Sequence, residues 1–136
     1  MIYLDSAAVV KLVRLEPESA ALVAWLNERS SLQLVASTLV EVEVPRALRR
    51  SQPGVLAGVA AVLARLYRLE ISSAVRAIAA AYQDPMLRSL DAIHLATTDL
   101  LTASGKAVTA FVTYDKRLAE GARQAGLTVV MPGQVP

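Results

Sequence analysis

Ile2-Tyr3-Leu4-Asp5-Ser6 opens the chain with three apolar residues running into an acid and a hydroxyl. A second stretch of the same make, Ala110-Phe111-Val112-Thr113-Tyr114-Asp115, stands near the other end. Each reads as a short buried strand that delivers an aspartate at its carboxyl end. In an open parallel sheet, ligands bind in the crevice outside those ends, so Asp5 and Asp115 are expected to converge although nearly the whole chain separates them. Between them apolar periodicity switches repeatedly between short strand-like runs and longer helical ones. That alternation predicts an α/β fold in three α/β/α layers, a central parallel sheet with helices on both faces.

Working outward, Ser6 is placed to cap a helix to about Leu15, and Pro17 suits the first turn of a second that carries Leu22, Val23 and Trp25-Leu26. A strand is expected over residues 32–36, then a helix capped by Ser37 or Thr38 and running to Arg50, broken by Ser51-Gln52-Pro53-Gly54. A long helix over 55–68, an extended piece over 69–71 and a helix over 73–82 follow, with a break at Asp84-Pro85. Ser89 is the expected cap of a helix from Leu90 to Ala103. Gly126 is the stop of a last helix over 116–125, and the closing strand is 127–131.

The 136 residues are 54% hydrophobic, enough for one domain over 1–136 with a real core. Absent cysteines exclude disulfides and thiolate metal sites, and a lone histidine, His94, excludes an ordinary zinc site. No secretory leader is visible and the apolar run 55–64 is too short to span a bilayer, so a cytoplasmic protein without a membrane partner is expected. Net charge is +2 and the isoelectric point about 9.2, with positive residues grouped at Arg46, Arg49, Arg50 and at Lys116, Arg117. A polyanionic partner is permitted. Aromatic residues make up 4% of the chain, which argues against a broad base-stacking platform.

Four acids, Asp5, Glu43, Asp91 and Asp115, each fall where a strand ends or a helix begins. Carboxylates brought together raise one another's pKa unless a cation neutralises them, so a divalent ion is implied. Taken singly, Asp5 reads as a turn residue, Asp115 as an N-cap and Asp91 as a helix-terminal acid; the joint pattern is what points to a metal site.

These segments resemble the PIN-domain ribonucleases, specifically the VapC-type toxins of toxin–antitoxin pairs. Met1-Ile2-Tyr3-Leu4-Asp5-Ser6-Ala7 is similar to the family's first strand, and Glu43-Val44-Pro45-Arg46-Ala47 to its helix with a Glu three residues before Arg-Ala. Ser89-Leu90-Asp91-Ala92-Ile93-His94-Leu95-Ala96-Thr97 and Val112-Thr113-Tyr114-Asp115-Lys116-Arg117-Leu118 resemble the last two motifs. The resemblance implies a PIN-like fold and a Mg²⁺-dependent endoribonuclease, Mn²⁺ being an alternative ion. It implies Asp5 and Asp91 as direct metal ligands, with Glu43 and Asp115 completing the catalytic acids. It also implies a homodimer and a VapB-like antitoxin laid on an apolar surface, for which a mean hydropathy of +0.43 leaves material.

Glu41 competes with Glu43. On a helix Glu43 shares a face with Leu39, Val40 and Ala47, and Glu41 points elsewhere, so Glu43 is preferred. Ser6 and Thr113 are candidates for metal water or phosphate, with capping an equal account of either. Lys11, Arg46 and Lys116 are candidate phosphate contacts, as are Arg14, Arg49, Arg50 and Arg117. Asp99 reads as a solvated helix residue, Asp84 as a turn, and His94 as a packed, hydrogen-bonded histidine outside the ligand set. Two other classes compete. A phosphatase would want an acid where Ala7 stands, and no glycine-rich phosphate loop is present. A catalytically inactive PIN-like module that keeps antitoxin or RNA binding is the better rival, against which the four intact acids stand.

Overall fold

The computed structural model describes residues 1–134, so the last two residues of the expected 1–136 domain lie outside it. Five parallel strands form one sheet in the order β3-β2-β1-β4-β5: β1 (Ile2–Leu4), β2 (Leu34–Ser37), β3 (Tyr67–Leu69), β4 (Ala110–Val112) and β5 (Val129–Val130). Seven α-helices connect them among the described residues: α1 (Ser6–Val13), α2 (Ser19–Asn27), α3 (Val40–Ser51), α4 (Val59–Leu63), α5 (Ser73–Ala81), α6 (Ser89–Ala103) and α7 (Lys116–Gln124). No helix among these residues is long and apolar enough to cross a membrane.

Strand alternation divides the core. Ile2 and Leu4 of β1 point to one face, where Ala36, Ala110 and Val112 join Val9, Leu22, Val40, Val44 and Leu48 from the helices. Tyr3 points to the other, packing with Val35, Phe111, Leu95 and Leu118. The Tyr3 and Phe111 rings stack at 5.0 Å between centroids. Helices therefore cover both faces, the expected three layers.

The sheet order matters for function. β2 and β3 extend from one side of β1, and β4 and β5 from the other. The crevice opens where the order reverses, between β1 and β4. Ile2 pairs with Ala110 and Leu4 with Val112, so the aspartates that follow these strands leave the same sheet edge.

Several local expectations fail. The strand expected over 32–36 lies at Leu34–Ser37, and the closing strand at Val129–Val130. The long helix over 55–68 does not form: Pro53–Gly58 is a 3-10 helix, α4 covers five residues, and Tyr67–Leu69 is a strand where the helix should end. Gly54 and Gly58 weaken helical propensity there, and the open edge of β2 offers backbone partners that local periodicity cannot reveal. The caps also differ. Asp5 rather than Ser6 caps α1, α3 starts after Leu39 without a side-chain cap, and Arg88 rather than Ser89 precedes α6. Pro17 sits in the turn before α2, and Pro45 lies inside α3 without ending it. Gly126 does end its helix, at φ 84°, with Leu127 N–H donating to the Ala122 carbonyl.

Leu48 is fully buried against the β1 face of the core, whereas Val42 on the same helix is 57% exposed. Leu48→Ala should lower unfolding free energy by about 2–5 kcal/mol in urea denaturation. Val42→Ala should change it by less than about 0.5 kcal/mol. Equal costs at both positions would contradict the packing of α3.

Candidate active site

Asp5 is held by the elements on either side of the crevice. It is the N-cap of α1, its Oδ1 accepting from Ala8 N–H at 2.9 Å, and it is only 3% exposed. Its Oδ2 accepts from the Thr113 hydroxyl at 2.5 Å. The same Thr113 oxygen accepts the Asp115 backbone N–H at 3.1 Å, and Asp115 Oδ1 in turn caps α7 through Leu118 N–H at 2.9 Å. One buried threonine thus ties the end of β1 to the end of β4, and capping and site geometry use the same two aspartates.

Glu43 enters from α3. Its Oε1 accepts from Ser6 Oγ at 2.6 Å and lies 2.9 Å from His94 Nε2. His94 Nδ1 lies 2.7 Å from the Tyr3 hydroxyl, and the imidazole is buried. His94 is thus buried and hydrogen-bonded as expected, although the identity of Glu43 as its partner was not foreseen. The available signal was its position three residues after Asp91, on the same helix face. Glu41 points away and pairs with Arg68 at 3.3 Å.

The electrostatics separate the acids. Burial raises the pKa of Asp5, and the Asp115 charge adds to the rise, against the lowering influence of His94, Thr113 and Ala8 N–H. Asp91 is raised by burial, then by Asp115, with Asp5 and Glu43 adding to it and only His94 opposing. Half-burial also works against charge on Glu43, but the hydrogen bonds from His94 and Ser6 outweigh it and leave its pKa below the ordinary value. All four acids therefore share one electrostatic neighbourhood. Asp91 carries its charge with no hydrogen-bond or ion-pair partner among the described side chains.

The other candidates are distributed unevenly. Arg46 and Arg50 line a groove of about 510 Å³ with Ser6, Glu43, Val42 and Leu90, and both guanidinium groups are exposed. Lys116 and Arg117 are exposed in the first turn of α7, beside Asp115. Lys11 is committed elsewhere: its ammonium bonds Glu16 at 3.1 Å and Glu18 at 3.0 Å and lies over the Tyr114 ring. Arg14 pairs with Glu16 at 3.2 Å. Asp84 accepts from Met86 N–H as a turn residue. Asp99 is more than a solvated residue, since it accepts from the Tyr82 hydroxyl, whose pKa is pushed far up by burial and by that carboxylate.

Among the described residues no three His, Cys, Asp or Glu side chains form a group that could by itself hold a metal ion. Mg²⁺ does not need one: it is commonly held by one or two carboxylates and keeps several waters. An oxygen-only donor set in which the Asp115 charge raises the pKa of both Asp5 and Asp91 fits such an open site, and the single imidazole, spent on Tyr3 and Glu43, does not suit zinc.

Comparison with known proteins follows the same lines. The PIN domain profile matches residues 2–124. Ribonuclease VapC35 of Mycobacterium tuberculosis is 54% identical over 135 residues, 98% of each chain. Ribonuclease VapC47 of the same species is 39% identical over 138 residues, 99% of each. Among solved structures, M. tuberculosis VapC20, a sarcin–ricin loop cleaving toxin, superposes with a TM-score of 0.71 at 14% identity, covering 97% of this chain and 100% of that one. VapBC2 of Rickettsia felis bound to a promoter DNA fragment gives 0.69 at 13% identity, covering 97% and 99%. The last two likenesses concern the fold, while the profile and the two ribonucleases extend over the sequence that supplies all four acids: the chain belongs to the PIN domain family, in its VapC-type branch.

Proposed function

We propose that this protein is a Mg²⁺-dependent endoribonuclease toxin, with Mn²⁺ as an alternative ion, neutralised by a VapB-like antitoxin. The observation that carries this reading is the convergence of Asp5, Glu43, Asp91 and Asp115 at the β1–β4 switch point in a chain akin to named ribonucleases. Asp5, immobilised by Ala8 N–H and Thr113, and Asp91, unpaired and facing the other acids, would hold the ion. When bound, such an ion supplies charge neutralisation at phosphate and a more acidic water. Glu43, kept ionised by Ser6 and His94, would accept the proton of the attacking water, and Asp115 would orient it from the β4 side.

Substrate positioning would fall to exposed Arg46 and Lys116 through phosphate contacts, with the hydroxyls of Ser6 and Thr113 as secondary groups. Lys11 would act at a distance, since two glutamates already share its charge. Exposed Val42 and Leu90 border the groove beside Glu43, an apolar rim suited to an antitoxin segment that also blocks the acids. The working form would be a cytoplasmic homodimer of one-domain chains.

Sequencing RNA ends after induction tests the activity directly. Discrete cuts dependent on Asp91 are expected, and none with Asp91→Asn. If purified protein with Mg²⁺ or Mn²⁺ leaves a broad RNA panel intact, the nuclease reading fails and the inactive binding module takes its place.

Glu43→Gln should lower cleavage about 100-fold or more with little loss of fold, whereas Glu41→Gln, which loses only an exposed ion pair, should cut almost normally. The reverse ranking in single-turnover assays would remove Glu43 from the site.

Raised carboxylate pKa values carry a sign. Asp5 and Asp91 bind protons more tightly folded than unfolded, so their contribution to metal-free stability is fully present below the ordinary value of 3.8 and is lost as pH rises through their folded values. A divalent ion needs both ionised and should reverse that loss. The gain in Tm at fixed Mg²⁺ should therefore grow with pH across the range above 3.8, and Asp91→Asn should abolish it. A gain independent of pH, or retained in Asp91→Asn, would contradict the assignment.

A further inference from the structure

Outside the acids themselves, the fold holds one chain of buried polar side chains running from the far face of the sheet into the crevice. Tyr3 is fully buried and His94 is 2% exposed, so neither exchanges its partners freely with water. The Tyr3 hydroxyl lies 2.7 Å from His94 Nδ1, His94 Nε2 lies 2.9 Å from Glu43 Oε1, and Ser6 Oγ, 3.3 Å from the same Nε2, donates to Oε1 at 2.6 Å. No buried side-chain nitrogen or oxygen among the described residues is left without a partner.

Proton accounting orders this chain in one direction. An ionised carboxylate only accepts, so the nitrogen facing Glu43 has to carry the hydrogen. A neutral imidazole then has a bare Nδ1, which accepts, and the Tyr3 hydroxyl is the donor that meets it. The opposite tautomer would set a nitrogen lone pair against a carboxylate at 2.9 Å and leave a buried group mismatched. We propose that His94, set as the Nε2–H tautomer by the Glu43 carboxylate and steadied by the Tyr3 hydroxyl donating to Nδ1, is the positioning residue of the site. With Ser6 it spends Oε1 of Glu43 inside the protein and leaves Oε2 free for the reacting water. Among the described residues Oε2 has no side-chain hydrogen-bond or ion-pair partner, and the Glu43 side chain is 26% exposed. The arrangement parallels the outer-shell histidine partners that fix a group's orientation elsewhere. It rests on the reading of Glu43 as a nuclease acid.

The chain has a single histidine, so one imidazole reports the tautomer without assignment. Long-range ¹H–¹⁵N correlation at pH 8, where a free imidazole is neutral, should give one protonated ε nitrogen and one bare δ nitrogen. A δ-protonated or doubly protonated ring overturns the proposal. Tyr3→Phe removes the donor to Nδ1 and should loosen the ring while Nε2–H stays directed at Glu43 Oε1. It should also lower kcat about 10–100-fold, with KM changed less than about twofold because substrate contacts remain. His94→Gln, which keeps an N–H near the position of Nε2, should recover most of the rate that His94→Leu loses. Wild-type kcat in a folded His94→Leu protein, or a loss confined to KM, refutes the role. If His94→Leu does not fold, Tyr3→Phe carries the kinetic test. Should the wild-type protein cut no RNA, the nuclease reading fails by itself, and the tautomer, which needs no substrate, still decides whether His94 is set as proposed.

Discussion

Everything at the site depends on the parallel pairing of β1 with β4. Ile2, Tyr3 and Leu4 lie in register with Ala110, Phe111 and Val112, and all six are buried. Their union joins the first strand of the chain to one more than a hundred residues later, so it closes a very long loop at an entropic cost that grows slowly with length. Stacking of Tyr3 on Phe111 and burial of Ile2, Leu4 and Val112 offset that cost. Thr113 then converts strand pairing into site geometry. It stands one residue past β4 and bonds both Asp5 and the Asp115 amide, so the relative position of two acids follows from the register of two strands.

The acids are provided for unequally, and the inequality is what gives them different chemistry. Asp5 has protein donors on both oxygens, which fix its orientation even though burial raises its pKa. Glu43 has two donors on one oxygen, enough to hold its pKa down despite half-burial. Asp91 has no such partner and bears the repulsion of the other three. A rigid carboxylate, an ionised acceptor and an unsatisfied charge are the parts that the proposed metal-and-water site would require.

The layer order, the parallel sheet and the two strand-end aspartates were legible in sequence because each follows from local apolar runs and the acid after them. That Glu43 turns toward Ser6 and His94 while Glu41 turns away to Arg68 agrees with helical phase. The stretch 55–68 was not, since its periodicity is helical and only the free edge of β2 turns Tyr67–Leu69 into a strand. Asp5 as a cap was hidden by the adjacent Ser6, an equally good capping residue by type. The bond between His94 and Glu43 joins two residues on different helices, so the spacing of His94 from Asp91 marks its helix face but not its partner.

The site draws its acids from positions 5, 43, 91 and 115, one after each of two strands and one on each of two helices. No contiguous part of the chain contains it. The proposed site therefore depends on completion of the whole sheet, unlike a site carried on one loop that can order independently. Groups held through Thr113, Ser6, His94 and Tyr3 are also set before any ligand arrives, because each of these four is bonded to protein on the site side. Preorganisation of this kind reduces what substrate binding must spend on ordering the acids. The same stiffness would leave control of the proposed activity to whatever covers the crevice, where exposed Arg46, Val42 and Leu90 line the same groove as Glu43.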